Sequence, residues 1–228
     1  RLAKEVLGVE TVKTFTDAAA IESTATLADI EKADVILVVD NAMRLLPVTG
    51  SKVLRAKDKG AKVFYAGPEN YSAVQADEKA IFEGEFALPA EFAAALKAAA
   101  AGVVICPAAS PLAEAAAAAA AEAGAKFGLL FETANGRAAV ELGCVPSLTA
   151  FKNAEEGPAN MIVFAETPEY VTELYLDLAE KLEKVENLVV VSSNASVLTD
   201  IAGTVIPVAA FGEYAGTVTS WDGQEQET

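Results

Sequence analysis

Residues 33–69 read ADVILVVDNAMRLLPVTGSKVLRAKDKGAKVFYAGPE. Two runs in this stretch, Val35 to Val39 and Lys62 to Tyr65, the second after its opening lysine, are apolar on successive residues rather than on every second one. Such strands are buried on both faces, and that requires helices above and below a parallel sheet. Between the runs, Pro47 to Lys59 has a helical pattern that opens on proline, which suits the first helical position. The unit is therefore strand, helix, strand, and it recurs along the chain. Further runs lie at Val103 to Cys106, Phe127 to Phe131, Met161 to Phe164, Leu188 to Val191 and Val205 to Val208. Helices are expected at Pro89 to Ala101, Pro111 to Ala123, Glu169 to Val185 and near Ser196 to Ala202. The predicted class is α/β, with Rossmann-like parallel sheets flanked by helices and two similar halves. Glu69 to Leu88 lacks periodicity and reads as a linker or excursion, which puts a sub-boundary near 69–88. The alanine-rich Pro111 to Ala123 is expected to be a crossover helix whose small side chains let it sit close on a sheet.

Composition excludes several functions. The chain has 228 residues, 53 % of them apolar, which is enough for one large domain or two small ones with a real core. Its formal charge of -16 comes without any cluster of Lys and Arg, so most of its surface would repel a nucleic-acid backbone. No window approaches the roughly 20 uninterrupted apolar residues of a membrane span. The sequence starts at Arg1 with no initiator Met or signal-like segment, as expected of a fragment or processed chain in the cytoplasm.

There is no histidine, so a Ser-His-Asp triad, a Cys-His pair and His-containing zinc sites are all impossible within this chain. Acid-base work would fall to carboxylates, Lys or Tyr. Most carboxylates recur between lysines on helical faces, as in LAEKLEKVEN, where a solvated face is the ordinary reading. Cys106 and Cys144 lie in apolar surroundings without a CxxC partner and are expected to be buried structural thiols.

In this fold class ligands bind in the loops after the strands. Neither GxGxxG nor GxxxxGK[ST] occurs. Asp40 and Asn41 follow the first strand, where they would either orient a ligand hydroxyl or make a turn or cap. Asn135 and Gly136 make a turn, and Arg137 with Glu141 has the spacing of an i,i+4 pair on the next helix. The closing stretch AAFGEYAGTVTSWDGQEQ, residues 209–226, is polar and punctuated by glycine, with Glu213, Gly216, Thr217, Gly223 and Gln226. It is expected to be an interaction or packing element.

ADVILVVDNAMRLLPVTGSKVLRAKDKGAKVFYAGP resembles the segment of molybdopterin oxidoreductases that reads roughly ADxxLVxGxNPxxxHPVxxxRxxxAxxKGAKxxVxDPR. IAGTVIPVAAFGEYAGTVTSWDGQEQ is similar to that family's LADVVLPxxxFxExxGTxxNxEGRxQ, with Ala202, Pro207, Phe211, Glu213, Gly216, Thr217, Gly223 and Gln226 at matching places. ANGRAAVELGCVP looks like a turn followed by G-x-x-P in the large iron-sulfur subunit of NADH-quinone oxidoreductase, lettered G. The three matches fall in the same order along the chain.

The departures from the family pattern bear on the cofactor. Asp40, Asn41 and Ala42 stand where cofactor-binding members carry Gly-x-Asn-Pro, so a carboxylate replaces a phosphate-binding turn. Gly67, Pro68 and Glu69 replace the Asp-Pro-Arg whose Asp receives a guanine edge. Leu46 replaces the His before Pro-Val, and Gln224 replaces the Arg of the EGR loop. A pyrophosphate desolvated beside uncompensated carboxylates would cost several kcal/mol. The resemblance thus implies a structural, cofactor-less domain, residues 1–228, from a larger subunit of a complex I peripheral arm. That arm supports electron transfer from NADH to quinone. No catalytic, cofactor-binding or metal residue is assigned, and the family's iron-sulfur clusters would lie in an amino-terminal region outside this segment. The implied partners are other subunits of a respiratory electron-transfer complex, attached peripherally to the cytoplasmic side of the inner membrane. Two alternatives stand beside this. One is a fragment of an active molybdenum- or tungsten-dependent oxidoreductase such as formate dehydrogenase, in which Asn41 and the Ser192 to Ser196 loop would touch pterin phosphates or sugars. The other is a stand-alone α/β binding module.

Overall fold

A computed structural model describes residues 12–14, 21–146, 151, 153–154, 158–165, 172–210 and 212–227. They belong to two units, and the first is discontinuous in sequence. Unit 1 comprises Arg1–Pro146 with Val218–Gln226, and unit 2 comprises Ser147–Thr217 with Glu227–Thr228.

In unit 1 the elements run β1 (Lys13–Thr14), α1 (Leu27–Lys32), β2 (Val35–Val39), α2 (Ala42–Leu45), α3 (Pro47–Asp58), β3 (Lys62–Gly67), α4 (Tyr71–Gln75) and β4 (Glu78–Ile81). They continue with α5 (Ala90–Ala98), β5 (Gly102–Pro107), α6 (Ala113–Ala123), β6 (Lys126–Leu130), α7 (Gly136–Glu141) and β7 (Val145–Pro146). Five of the strands form one parallel sheet in the order β4-β3-β2-β5-β6, and β1 pairs with β7 separately. The chain winds outward from β2 to β3 and β4, then returns to place β5 and β6 on the other side. That is a doubly wound sheet with its switch point between β2 and β5.

Both sheet faces are covered, as the unalternating strands require. Ile36, Val38, Val63 and Ile105 pack under Ile30, Met43, Val53 and Ala73 on one face. Leu37, Phe64, Val104 and Leu129 pack under Phe92, Leu96 and the α6 alanines on the other. Ala113, Ala116 and Ala120 of α6 are buried against the sheet, so the alanine run is a close-packed crossover helix. Glycine in the left-handed conformation at Gly124 (φ 68°) ends that helix.

Glu69 to Leu88, expected to be a linker or excursion with a sub-boundary, lies inside unit 1. It contains α4 and the edge strand β4, and the chain divides after Pro146 instead. β4 pairs with β3 and is tied to it by an ion pair between Lys62 and Glu78 at 2.8 Å. A short, charged edge strand carries none of the apolar signal of a central one.

Unit 2 contains β8 (Asn160–Phe164), α8 (Thr172–Leu182), β9 (Asn187–Ser192), α9 (Val197–Ile201) and β10 (Thr204–Pro207). Residues 169–171 of the expected helix lie outside the described residues. The three strands form a parallel sheet in the order β10-β9-β8. Right-handed crossovers that advance in one direction put α8 and α9 on the same face. Accordingly Leu178, Leu182 and Leu198 are buried along with Val163, Leu188 and Val190. Ile162, Phe164 and Ile206 share the opposite face by register and are exposed.

β11 (Thr217–Thr219) and β12 (Glu225–Glu227) make a two-stranded sheet. The residues between them belong to unit 1, whose core receives Trp221.

Three carboxylates fasten the loops of unit 1. Asp34 Oδ1 and Oδ2 accept from the N–H groups of Ala101 (2.9 Å) and Ala100 (2.8 Å). Asp77 Oδ2 accepts from Val63 N (2.9 Å) beside Lys57. Asp29 caps α1 through Thr26 and pairs with Lys126 (2.6 Å). Burial raises each of the three, but these hydrogen bonds and cations outweigh it and hold each carboxyl below its ordinary value of 3.8. A depressed folded-state value contributes stability that is present above the ordinary value and lost as pH falls through the depressed one. The urea midpoint of unit 1 should therefore hold level from pH 7 to about 5 and drop steadily below the ordinary carboxylate range. A midpoint unchanged between pH 7 and pH 3 would show that these contacts do not form.

Candidate functional site

At the switch point the connections after β2 and β5 pass to opposite faces of the sheet, the position at which open α/β sheets bind ligands. Asp40 leaves β2 in the left-handed conformation (φ 54°), which is uncommon for a residue with a side chain. Each of its carboxylate oxygens accepts one hydrogen bond from the protein's own donors. Oδ1 accepts from Asn41 N at 2.7 Å, and Oδ2 accepts from the hydroxyl of Ser110, from the loop after β5, at 2.8 Å. Ser110 is buried, and its Oγ also accepts from Leu112 N (3.3 Å) at the start of α6. Asp40 thus stands in a turn at the carboxyl end of β2, bonded across to the loop after β5.

The loop after β3 closes against the same point. Gly67 has φ 145°, and a Cβ there would lie 3.2 Å from Asp40 N and 3.0 Å from the Tyr65 hydroxyl, so only glycine fits without strain. Tyr65 is wholly buried; its hydroxyl bonds to Pro68 O and accepts from Asn70 Nδ2 (2.8 Å). Burial, reinforced by the Asp40 charge and opposed by Asn70, pushes the Tyr65 phenol up to about 12. Asn70 caps α4 through Ser72 N (2.9 Å), and buried Ser72 in turn accepts from Met43 N (3.1 Å). A chain of side-chain bonds therefore fills the space between the β2 and β3 loops. Asn41 precedes α2 without capping it, and its buried Oδ1 has no protein partner.

The cysteines differ from each other. Cys106 is fully buried at the end of β5, and burial pushes its thiol up to about 12, with Asp40 adding to the effect and Ser110 opposing it. Cys144 is only partly buried, contrary to expectation. Neither is disulfide-bonded. Among the described residues no group of three or more His, Cys, Asp or Glu side chains could hold a metal ion, and no helix is long and apolar enough to cross a membrane.

The polar tail and the Asn135–Glu141 turn, which the sequence gives as separate features, come together in unit 1. Asn135 Oδ1 accepts from Thr219 N (2.7 Å), and Arg137 donates from Nη1 to Trp221 O (3.1 Å) and from Nε to Glu141 Oε1 (2.7 Å). The expected Arg137–Glu141 pair therefore forms. Gly223 (φ 81°) sits against the Arg137 guanidinium, where a Cβ would come within 3.0 Å. Asp222 is buried and accepts from Leu27 N (3.3 Å) and from the Ser220 hydroxyl. Gln224 N donates to Asp222 Oδ1 at 3.4 Å.

In unit 2, Ser192 donates to Ala165 O (2.7 Å) and accepts from Asn194 N (3.3 Å), so the Ser192 to Ser196 loop is closed by its own side chain. Glu213 Oε2 accepts from Ala210 N (2.9 Å) and closes a local turn. Ala202 ends α9, Pro207 ends β10 and Gln226 lies exposed in β12. Phe211, which carries part of the resemblance, lies outside the described residues. Sequence reading missed Tyr65, Asn70 and Ser110; the one available signal was Ser110 immediately before Pro111, read only as a helix start.

These features define a doubly wound α/β domain whose switch-point loops are joined by the Asp40–Ser110 and Tyr65–Asn70 bonds, with Asn41 Oδ1 left without a partner. No family model matches the sequence, and no curated protein matches it.

Proposed function

We propose that this chain is a structural, cofactor-less domain of the molybdopterin-oxidoreductase-like kind, part of a subunit in the peripheral arm of an NADH-quinone oxidoreductase. It would hold neighbouring subunits while iron-sulfur clusters elsewhere in the parent subunit pass electrons from NADH toward quinone, on the cytoplasmic side of the inner membrane.

The parent complex rests on the resemblance of the sequence; the observation that supports the cofactor-less part of the reading is the state of Asp40. A pyrophosphate at a switch point needs backbone and side-chain donors aimed at it. Here the Asn41 N–H and the Ser110 hydroxyl point to the Asp40 carboxylate, an acceptor with negative charge. The residues present therefore do not fit a pterin pyrophosphate, and we derive no chemistry through one. Burial holds the Tyr65 phenol and the Cys106 thiol protonated, so neither adds a negative charge beside Asp40.

The test is elemental analysis for iron, molybdenum and tungsten on the chain purified with the subunits that accompany it. Iron without molybdenum or tungsten is the expected result. Stoichiometric molybdenum or tungsten would overturn the reading in favour of an active metal-dependent oxidoreductase.

A further inference from the structure

Parallel strands need a layer of helix on each face of their sheet, and the sheet of unit 1 has both layers. The parallel sheet of unit 2, β10-β9-β8, has α8 and α9 on one face, and among the described residues of unit 2 the second layer is missing. By register the uncovered face carries Ile162 and Phe164 from β8, Val189 and Val191 from β9 and Ile206 from β10. Phe164 is 78 % exposed, and Ile162 and Ile206 are each 47 % exposed. The polar positions of this face are the first residues of the three strands, Asn160, Asn187 and Thr204, and Asn187 Nδ2 donates to Asn160 Oδ1 (2.8 Å). None of these strand residues is charged. Their surroundings are the opposite: Ser147–Thr217 with Glu227–Thr228 contain 12 Asp and Glu against 3 Lys and no Arg. Exposed Glu186 stands directly before Asn187, and exposed Glu213 follows β10.

The dimensions of the face select what can cover it. Three strands span about 10 Å from edge to edge, and five or six residues of strand run for about 16–20 Å. That is the footprint of one α-helix, about 10–12 Å in diameter, over about 11–13 residues. We infer that this face is a docking surface for a single amphipathic helix of a partner protein, with an apolar stripe and with Lys or Arg along its flanks. The stripe supplies the missing layer over Phe164, Val191 and Ile206, and the flanking cations meet the acidic surroundings. A second copy of this chain is a poorer match, because each copy brings the same excess of carboxylates to a shared interface.

The probe is a labelled synthetic peptide of about 18 residues, with Leu at i, i+3, i+4 and i+7 spacing and Lys elsewhere, titrated with the full chain and read by fluorescence anisotropy. It should bind, and the same peptide with Glu in place of each Lys should bind at least about ten-fold more weakly. Phe164→Asn together with Ile206→Asn leaves every charge in place and should weaken binding of the Lys peptide by at least about ten-fold. Both side chains are exposed, so unit 2 should stay folded, which circular dichroism checks; Phe164→Asn alone serves if the double variant unfolds. Leu142→Asn, at the same 78 % exposure in unit 1, should leave binding unchanged. Binding that survives the double substitution would reflect charge attraction alone and would overturn the proposal. So would equal binding of the Glu peptide, or no binding of the Lys peptide. Sedimentation equilibrium of the free chain tests the second copy, and a dimer that the same double substitution dissociates would also overturn the assignment to a partner helix.

Discussion

Trp221→Ala is expected to destabilise unit 1 by about 3–5 kcal/mol, the usual range for deleting a large buried aromatic side chain. Trp221 is the only tryptophan of the chain; it is 7 % exposed and belongs to the same core cluster as Ile36, Val38 and Ile105. Its seat is built for it. Gly128 lies inside strand β6, where glycine is otherwise unfavourable, and a Cβ there would come within 3.0 Å of Trp221 Cζ3 and 3.2 Å of Ile105 Cγ2. Gly128→Ala should therefore destabilise the wild-type chain and do so less in the Trp221→Ala background, giving a coupling detectable in a double-mutant cycle. Urea unfolding followed by circular dichroism is the suitable measurement, since the substitution removes the fluorophore. A loss under about 1 kcal/mol would mean the indole is not a core side chain, whatever its position.

Gly50→Ala should destabilise by about 1–3 kcal/mol, although helix propensity alone predicts a gain of about 1 kcal/mol. Gly50 is buried in α3 as its fourth residue, a place where alanine normally improves a helix. The added Cβ would lie 2.5 Å from the Met43 carbonyl oxygen and 3.3 Å from Met43 Cβ. The first of these neighbours is backbone, so α2 must move away from α3 to make room. Because Met43 is itself buried and bonded through its N–H to Ser72, that shift would disturb the loops at the switch point. The sign of the effect decides the matter, and a stabilised Gly50→Ala chain would sink the argument.

The central strands were legible because burial on both faces leaves a plain mark, five consecutive apolar residues at Val35–Val39 and a similar run at Lys62–Tyr65. β4 left no such mark, since Glu78 and Lys79 face solvent on the sheet edge. That edge strand, with turn residues around it, gave Glu69 to Leu88 the look of a linker. Asp40 and Asn41 were legible as residues at a strand's carboxyl end, but not the partner of Asp40, since Ser110 lies 70 positions away. The tail was legible as patterned, yet its destination depended on Gly128 and Arg137, which nothing local to residues 209–226 could indicate. A glycine inside KFGLL and a lone tryptophan in a polar tail were the two halves of one signal, separated by all of unit 2.

That separation sets a timetable for the newly made chain. Unit 1 has its sheet strands once β6 is synthesised, but the ring that fills the place over Gly128 arrives only after the further 91 residues from Phe131 to Trp221 have been translated. At about 5–20 residues per second, the nascent sheet waits roughly 5–18 s with one apolar hollow uncovered. During that interval the growing polypeptide exposes, beside Gly128 and Ile105, the apolar surface that Trp221 later covers.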